Sequence, residues 1–252
     1  MKKILLTFVL VAFTLLCYAQ KKAEWKLSTH TWSGAGWTGK WEYKYDSNFF
    51  LTEVKYYQDK KLFTVSKNFT HNKDGNITSY EDVYLQGADP QKFYFTYDSE
   101  AKLKTKKTVF FKNQKENYTE EVSYEWAAKK VTLSKLIITK KGNSTSTVIY
   151  NLDENKNILS RETKSEFSSE NQAYKEIGTT PNPYIFVDYP YHGEVKSTNN
   201  STPVVSTTLP SSRKIILNKA GLTGRIIETI DNGKYNIVNT DTYTYLSIKS
   251  SK

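Results

Sequence analysis

The sequence predicts an all-β protein, a curled antiparallel meander built from repeated β-hairpins of about 26 residues. Three observations carry that expectation. The first is composition: 19 Tyr, 12 Phe and 5 Trp supply aromatics at 14% of the chain, and with Thr, Val and Ile they suit a pleated, half-buried surface. Second, short segments alternating apolar with polar residues recur at a nearly fixed period. Third, each such segment runs into a polar turn. A hydrophobic content of 38% argues against disorder, while 11 Gly and 6 Pro in 252 residues are too few for a collagen-like or low-complexity chain. The length allows one large β domain or two small ones, and the continuity of the repeat selects one.

From the N-terminus, Lys2 and Lys3 precede an apolar run from Ile4 to Leu16, about 13 residues, which is too short for the roughly 20 that span a bilayer. Cys17-Tyr18-Ala19 follows a small-x-small pattern, so residues 1–19 read as a secretory signal cut between Ala19 and Gln20. Cys17 raises a rival possibility, lipid anchoring at the cysteine, but Leu16 stands where that signal wants a small residue. Cleavage after Ala19 leaves an exported chain without cysteine, which has to rest on its own core. Beyond residue 20 no apolar stretch approaches membrane-spanning length.

Residues 20–252 form the expected single β-repeat domain. Its first part, 20–40, is Trp-rich: Trp25, Trp32 and Trp37 lead into Trp41, interleaved with Ser33, Gly34, Gly36 and Gly39. This stretch reads as a cap that covers the open edge of the sheet, since an uncovered edge is a template for aggregation. The competing reading is a glycan platform of Trp32, Trp37 and Trp41, because aromatic faces stack on sugar rings.

Residues 41–165 carry the repeats. The anchor segments are Trp41-Glu42-Tyr43-Lys44-Tyr45, Lys67-Asn68-Phe69-Thr70-His71, Phe93-Tyr94-Phe95-Thr96-Tyr97, Val122-Ser123-Tyr124-Glu125-Trp126 and Val148-Ile149-Tyr150-Asn151-Leu152. They end at 45, 71, 97, 126 and 152, separated by 26, 26, 29 and 26 residues. Asp46, Asn72, Asp98 and Asp153 begin the turns that follow, and Asx side chains favour turns by bonding their own downstream backbone. Six positions after the anchor the apolar pattern resumes at Leu51, Ile77, Leu103 and Ile158, while the fourth copy slips and has Thr132 there. Two strands and two turns consume one period, so each repeat is a hairpin whose aromatic side needs its neighbours to hide it.

Between 166 and 212 the composition shifts to Ser, Thr, Asn and Pro, with five of the six prolines, and reads as an irregular insertion. Its aromatic stretch Tyr184-Ile185-Phe186-Val187-Asp188-Tyr189-Pro190-Tyr191 is expected to pack back onto the sheet. Closing hairpins occupy 213–252, beginning with Ile215-Ile216-Leu217 and the turn Asn218-Lys219-Ala220-Gly221, and ending in a strand from Tyr243 to Ile248.

Tyr45-Asp46 and Tyr97-Asp98, each with an aliphatic residue six positions after the Tyr, resemble the YD repeats of bacterial surface proteins. A closer resemblance is to exported proteins of Bacteroidota that combine a Lys-start signal ending in Ala-Gln, degenerate YD-type hairpins, and an Asn-Pro insertion like Asn182-Pro183. The copies depart from the pattern at His71, Trp126 and Leu152, where Tyr is the family residue, and Gly occurs in the turn only at Gly75 and Gly221. The resemblance implies a β-repeat architecture outside the cytoplasm and transfers no catalytic residue.

The net charge is +10, and +8 without Lys2 and Lys3. Nearly all the cations are lysine. Arg161, Arg213 and Arg225 are the only arginines, too few for bidentate reading of phosphates and bases, so no nucleic-acid partner is expected. The lysines read as the wet face of a sheet. Cysteine catalysis needs a thiol that the mature chain lacks, and His30, His71 and His192 are scattered, without metal-ligand spacing or a Gly-x-Ser-x-Gly elbow. His71 stands at an inward anchor and reads as an aromatic substitute. Asp188 and Glu194 are the first suspects if two carboxylates converge for glycoside chemistry. No cofactor and no metal site is expected. The reading that results is an exported, non-catalytic envelope or secreted module binding a glycan or protein partner; the alternatives are a surface scaffold without a discrete ligand site, or a glycan-active enzyme.

Overall fold

The protein is described here by a computed structural model covering residues 25–188, 190–191, 195–196, 198–203, 211–231 and 236–248. The expected signal, Cys17 and the junction of Ala19 with Gln20 lie outside the described residues, as do His192 and Glu194. The strands are β1 (Trp25–Gly34), β2 (Trp37–Tyr45), β3 (Leu51–Gln58), β4 (Lys61–His71), β5 (Ile77–Tyr84), β6 (Gln91–Tyr97), β7 (Leu103–Lys112) and β8 (Lys115–Ala127). They continue with β9 (Lys130–Thr139), β10 (Gly142–Leu152), β11 (Ile158–Ser165), β12 (Ser169–Pro181), β13 (Asn199–Pro203), β14 (Ser211–Leu217), β15 (Thr223–Asp231) and β16 (Asn236–Ser247). One short 3-10 turn, Pro183–Phe186, separates β12 from β13.

All neighbours pair antiparallel, in the spatial order β13-β12-β11-β10-β9-β8-β7-β6-β5-β4-β3-β2-β1-β16-β15-β14. The all-β meander expected from the repeat is therefore the observed fold. Alternation puts Tyr43, Phe93, Phe95, Val122 and Tyr124 in the core, with Trp41, Tyr45, Tyr97, Trp126 and Tyr150 packed against it. The other face is wet and carries hydroxyl pairs such as Thr96 with Thr105 at 2.6 Å and Thr29 with Thr244 at 2.7 Å.

The repeat has a physical basis at its turns. The Oδ1 atoms of Asp46, Asn72, Asp98, Asp153 and Asn218 each accept from the backbone N–H groups two and four residues on, at 2.8–3.0 Å. The residue three positions after the Asx has positive φ: Phe49 (60°), Gly75 (79°), Ala101 (59°), Lys156 (65°) and Gly221 (71°). Three of these five are not glycine. Their left-handed conformation is unfavourable for an L-residue, and the two Asx hydrogen bonds per turn offset it. After four of the five turns the chain then buries an aliphatic residue completely, with Leu51, Ile77, Leu103 and Leu222 at 0% exposure, whereas Ile158 after the Asp153 turn is half-buried. Burying each contributes about 1.5–3 kcal/mol.

The anchor rings also tie neighbouring strands through their polar tips. Tyr45 Oη donates to the Leu27 carbonyl at 2.8 Å, Tyr97 Oη to Ile77 at 2.5 Å, Trp126 Nε1 to Leu103 at 2.7 Å and Tyr245 Oη to Thr223 at 2.8 Å. Trp126 thus does the work of an anchor Tyr. The slip of the fourth copy has a simple cause: Ala128 and Lys129 form a two-residue turn between β8 and β9, so Val131, at 0% exposure, takes the aliphatic place early.

At the other end of the sheet several turns are two residues long, while β5 and β6 are joined by the six-residue loop 85–90. Ala35-Gly36, Asp59-Lys60 and Asn113-Gln114 each have positive φ at both positions, the conformation that matches the twist of a two-residue hairpin.

Two sequence expectations are corrected. The described part of the 20–40 segment does not cap an open edge, because β1 pairs with β2 on one side and with β16 on the other, from Trp25 opposite Ser247 to Ser33 opposite Thr240, with one register shift between Leu27 and Thr29. The closing strands return to cover the N-terminal edge, so the sheet's edges among the described residues are β13 and β14. The stretch 166–212 is not irregular throughout, since β12 continues the meander against β11 and β13 adds to it. Near a sheet edge a strand wets both faces, and β12 accordingly opens with exposed Ser169, Glu170 and Asn171 instead of the alternation that betrays a half-buried strand.

The sheet wraps around the segment that follows β12. From β16 to β10 lie ten strand spacings, about 48 Å if flat. Yet Phe186 packs edge-on to Tyr245 of β16, while its neighbours Ile185 and Val187 share a cavity wall with Leu152 of β10. Only a strongly curled sheet brings both within reach.

Candidate functional site

The curled sheet has two unlike ends, and the aromatic stretch of the insertion settles which one is free. Asn182 caps the 3-10 turn, its side chain accepting from the Tyr184 N–H at 3.1 Å, and Phe186, Val187 and Asp188 follow into the interior. Tyr184 meets His30 and Tyr243 edge-on, and Tyr191 packs on Tyr43, Phe69 and Tyr80. The expected packing of this stretch onto the sheet is therefore seen, and it fills the end where the Asx turns lie.

Asp188 is the clamp of that arrangement and not a free acid. Its side chain is 3% exposed, one oxygen meets the Lys26 ammonium, and the other accepts from the Leu51 N–H at 2.7 Å with His71 Nε2 at 3.4 Å. Burial alone would push its carboxyl up, but His71, the Lys26 charge and the Leu51 N–H outweigh burial and hold it below the usual carboxylate range. His71, stacked on Phe50 at 5.1 Å, is both the expected aromatic substitute and a partner of this carboxylate. Deeper inside, Ser66 Oγ donates to Asp82 at 2.5 Å and bonds Tyr191 Oη at 2.9 Å. Burial pushes the Asp82 carboxyl up to about 6, against the lowering effect of Ser66.

Toward the short-turn end the same inner face carries a row of stacked rings that runs from buried His30 and Tyr243 out to half-buried Trp41 and Tyr56. His30 is sandwiched between Tyr243 and Trp41, both 4.7 Å away and 8° from parallel; Trp41 stacks on Tyr56 at 4.6 Å, and Phe63 meets Tyr56 edge-on at 6.0 Å. These five rings come from β16, β1, β2, β3 and β4, one from each successive strand. Trp32 lies directly opposite Gly39. A Cβ at Gly39 would stand 3.4–3.6 Å from Tyr56, Trp41 and Trp32, so the glycine is the floor on which the three rings converge. Alternation puts Trp37 on this face too, two residues before Gly39, and it is 55% exposed.

Polar groups border the rings. Asp241 faces Trp32 across the β1–β16 pair and holds His30 Nε2 at 2.8 Å, while His30 Nδ1 meets Tyr184 Oη at 3.1 Å. Asn239, two residues earlier, hydrogen-bonds Glu228 at 3.4 Å and lies across Gly34, where a Cβ would come within 2.0 Å of its Oδ1. Of the three residues expected to form a platform, Trp32 and Trp41 therefore meet around Gly39 and Trp37 extends them outward. Trp25 instead packs against the core at the other end of β1. Sequence reasoning missed Glu228, Asn239 and Asp241, since nothing local shows that β16 returns beside β1. Tyr56 was legible in principle, being two residues after Val54 on the inward side of a returning strand.

Apolar flat faces bordered by carboxylate and amide oxygens suit a polyhydroxylated ring: its C–H faces stack, and its hydroxyls donate to the acceptors. Among the described residues no group of three His, Cys, Asp or Glu is placed to hold a metal ion, and no helix is long and apolar enough to cross a membrane.

Comparison with known proteins places this chain in no family. No protein-family model matches the chain, and no curated protein matches it. Among solved structures, a porin-like protein from Bacteroides uniformis aligns over 87% of this chain and 98% of its own, with 16% identity and a TM-score of 0.40. That degree of likeness assigns neither a role nor a residue to this protein.

Proposed function

We propose that this is an exported, non-catalytic β-repeat protein of the bacterial envelope or secretome that binds a glycan through the aromatic face of Trp32, Trp37, Trp41 and Tyr56. The observation that carries the reading is the contrast in exposure. Most aromatic rings here are packed, yet Trp37 is 55% exposed beside a stacked row of rings and a border of acceptors. An exposed Trp costs hydrophobic stabilisation, and large apolar surface left open in an ordered strand marks a contact site. The N-terminal Lys-start segment and the resemblance to exported YD-type proteins support the location.

The test is a glycan array with the wild type and a Trp32→Ala/Trp37→Ala double variant. Glycan binding by the wild type, lost in the variant while circular dichroism is unchanged, is the expected result. No glycan bound by the wild type overturns the glycan reading and leaves a protein partner. A surface scaffold is the second reading, favoured by β14, which pairs on one side only among the described residues and exposes Ile216 (37%) and Leu217 (50%). Concentration-dependent assembly in sedimentation, abolished by Ile216→Lys, would support it.

A further inference from the structure

The aromatic face at the short-turn end has an electrostatic sign. Asp241 stands opposite Trp32 across the β1–β16 pair, with its side chain 25% exposed. Its Oδ1 meets His30 Nε2 at 2.8 Å, and His30 Nδ1 meets Tyr184 Oη at 3.1 Å. A neutral imidazole satisfies both contacts, Nε2–H donating to Asp241 and Nδ1 accepting from Tyr184. Such a donor orients the carboxylate and leaves its charge in place. Glu228, the other acid at this border, has Arg213 opposite it on β14 and accepts from Asn239, so Asp241 carries the local negative charge. The lysines of β2 and β3 do not answer it. Alternation puts Lys40, Lys44 and Lys55 on the other face, where Lys40 and Lys55 pair with Glu42 and Glu53 at 2.5 and 3.4 Å.

Flat aromatic faces beside a carboxylate attract a cation in two ways, through the quadrupole of the rings and through charge-assisted hydrogen bonds. A hydroxyl donates to the same carboxylate more weakly, and a uronic acid is repelled by it. We propose that this face takes a glycan carrying free amino groups, an ammonium meeting the Asp241 carboxylate while its sugar ring stacks on Trp32 or Trp37. The proposal rests on the glycan reading above and names the class of sugar. The chain's net charge of +10 disfavours a polycation as a whole. Exposed charges more than about 10 Å apart are largely screened at ordinary salt, so a preference for a cationic glycan has to come from the site itself.

Calorimetric titration near neutral pH with the β-1,4-linked hexamers of glucosamine, N-acetylglucosamine and glucose tests it, since the three share a backbone and differ only in the amine, acetamide or hydroxyl at C2. The expected result is that the wild type binds the glucosamine hexamer at least about ten-fold more tightly than the other two, with the advantage shrinking as salt is raised. Asp241→Asn keeps the size of the side chain and an oxygen for His30 but removes the charge. It should bring the three hexamers within about two-fold of one another. Equal affinity of the wild type for the glucosamine and glucose hexamers overturns the proposal and leaves the glycan reading standing, as does binding of some other array glycan with none of the three hexamers bound. An advantage that survives Asp241→Asn with circular dichroism intact overturns it as well. No glycan bound in the titrations or on the array overturns both readings together.

Discussion

The two ends of this curled sheet are built by the same alternating strands and differ in what their turns and neighbours do. At one end five Asx turns, rings tied to backbone carbonyls and the segment around Asp188 lock the strands together. At the other, most of the described connections are two-residue turns, the six-residue loop 85–90 between β5 and β6 being the longest, and Trp37 stands open. The difference teaches that stability and accessible surface are divided along the strand axis. A residue's role follows from its distance to the Asx turns as much as from its type.

The largest expected effect separates the ends most sharply. Asp188→Ala leaves the Lys26 ammonium and His71 without their shared carboxylate and should cost about 3 kcal/mol in urea unfolding. Trp37→Ala at the open end should change stability by less than about 0.5 kcal/mol. Equal losses from the two variants would dissolve the comparison. Leu103→Ala, removing a side chain with 0% exposure, belongs with the first class at about 2–5 kcal/mol.

Glycines sharpen the contrast at intermediate size. Gly75 has φ of 79° and a Cβ there would stand 2.8 Å from Phe50, whereas Gly36 has φ of 84° with nothing within 4 Å. Gly36→Ala should cost only the left-handed conformation, about 1 kcal/mol. Gly75→Ala should cost that and the displacement of Phe50 from His71, and the gap between the two melting temperatures measures how tightly the Asx end is packed.

Stability against pH probes the interior with opposite signs. The depressed carboxyl of Asp188 contributes stability above the unfolded value of 3.8, lost as pH falls through its lower folded value. The raised carboxyl of Asp82 behaves inversely: its contribution is complete below 3.8 and is lost as pH rises through about 6. Asp82→Asn should therefore flatten the stability profile between these values and stabilise the protein at pH 7.5 by on the order of 1 kcal/mol. A small effect is expected of Tyr97→Phe, about 1 kcal/mol or less from the lost bond to the Ile77 carbonyl.

The repeats were legible because four of the five copies combine alternation before the turn with an Asx residue within it, the copy ending at Trp126 alone lacking the Asx. The left-handed residues at Phe49, Ala101 and Lys156 were not, because without glycine their type gives no sign of the conformation that Asp46, Asp98 and Asp153 impose. The platform tryptophans stood out through their clustering, but their acceptors Asn239 and Asp241 lie some 200 residues away in sequence. Only the long-range pairing of β1 with β16 brings them together. That pairing also reverses the expected role of the Trp-rich segment, whose described residues form interior strands β1 and β2 instead of an edge cover.

The junction of β1 with β16 carries both the architecture and the candidate site, and a cross-link tests it directly. In a chain beginning at Gln20, which has no cysteine, Thr29→Cys/Thr244→Cys replaces hydroxyls that lie 2.7 Å apart. The pair is predicted to oxidise to an intramolecular disulfide under native conditions, as should the within-repeat control Thr96→Cys/Thr105→Cys. Two free thiols persisting in the first variant, while the control closes, would show that the terminal strands do not meet.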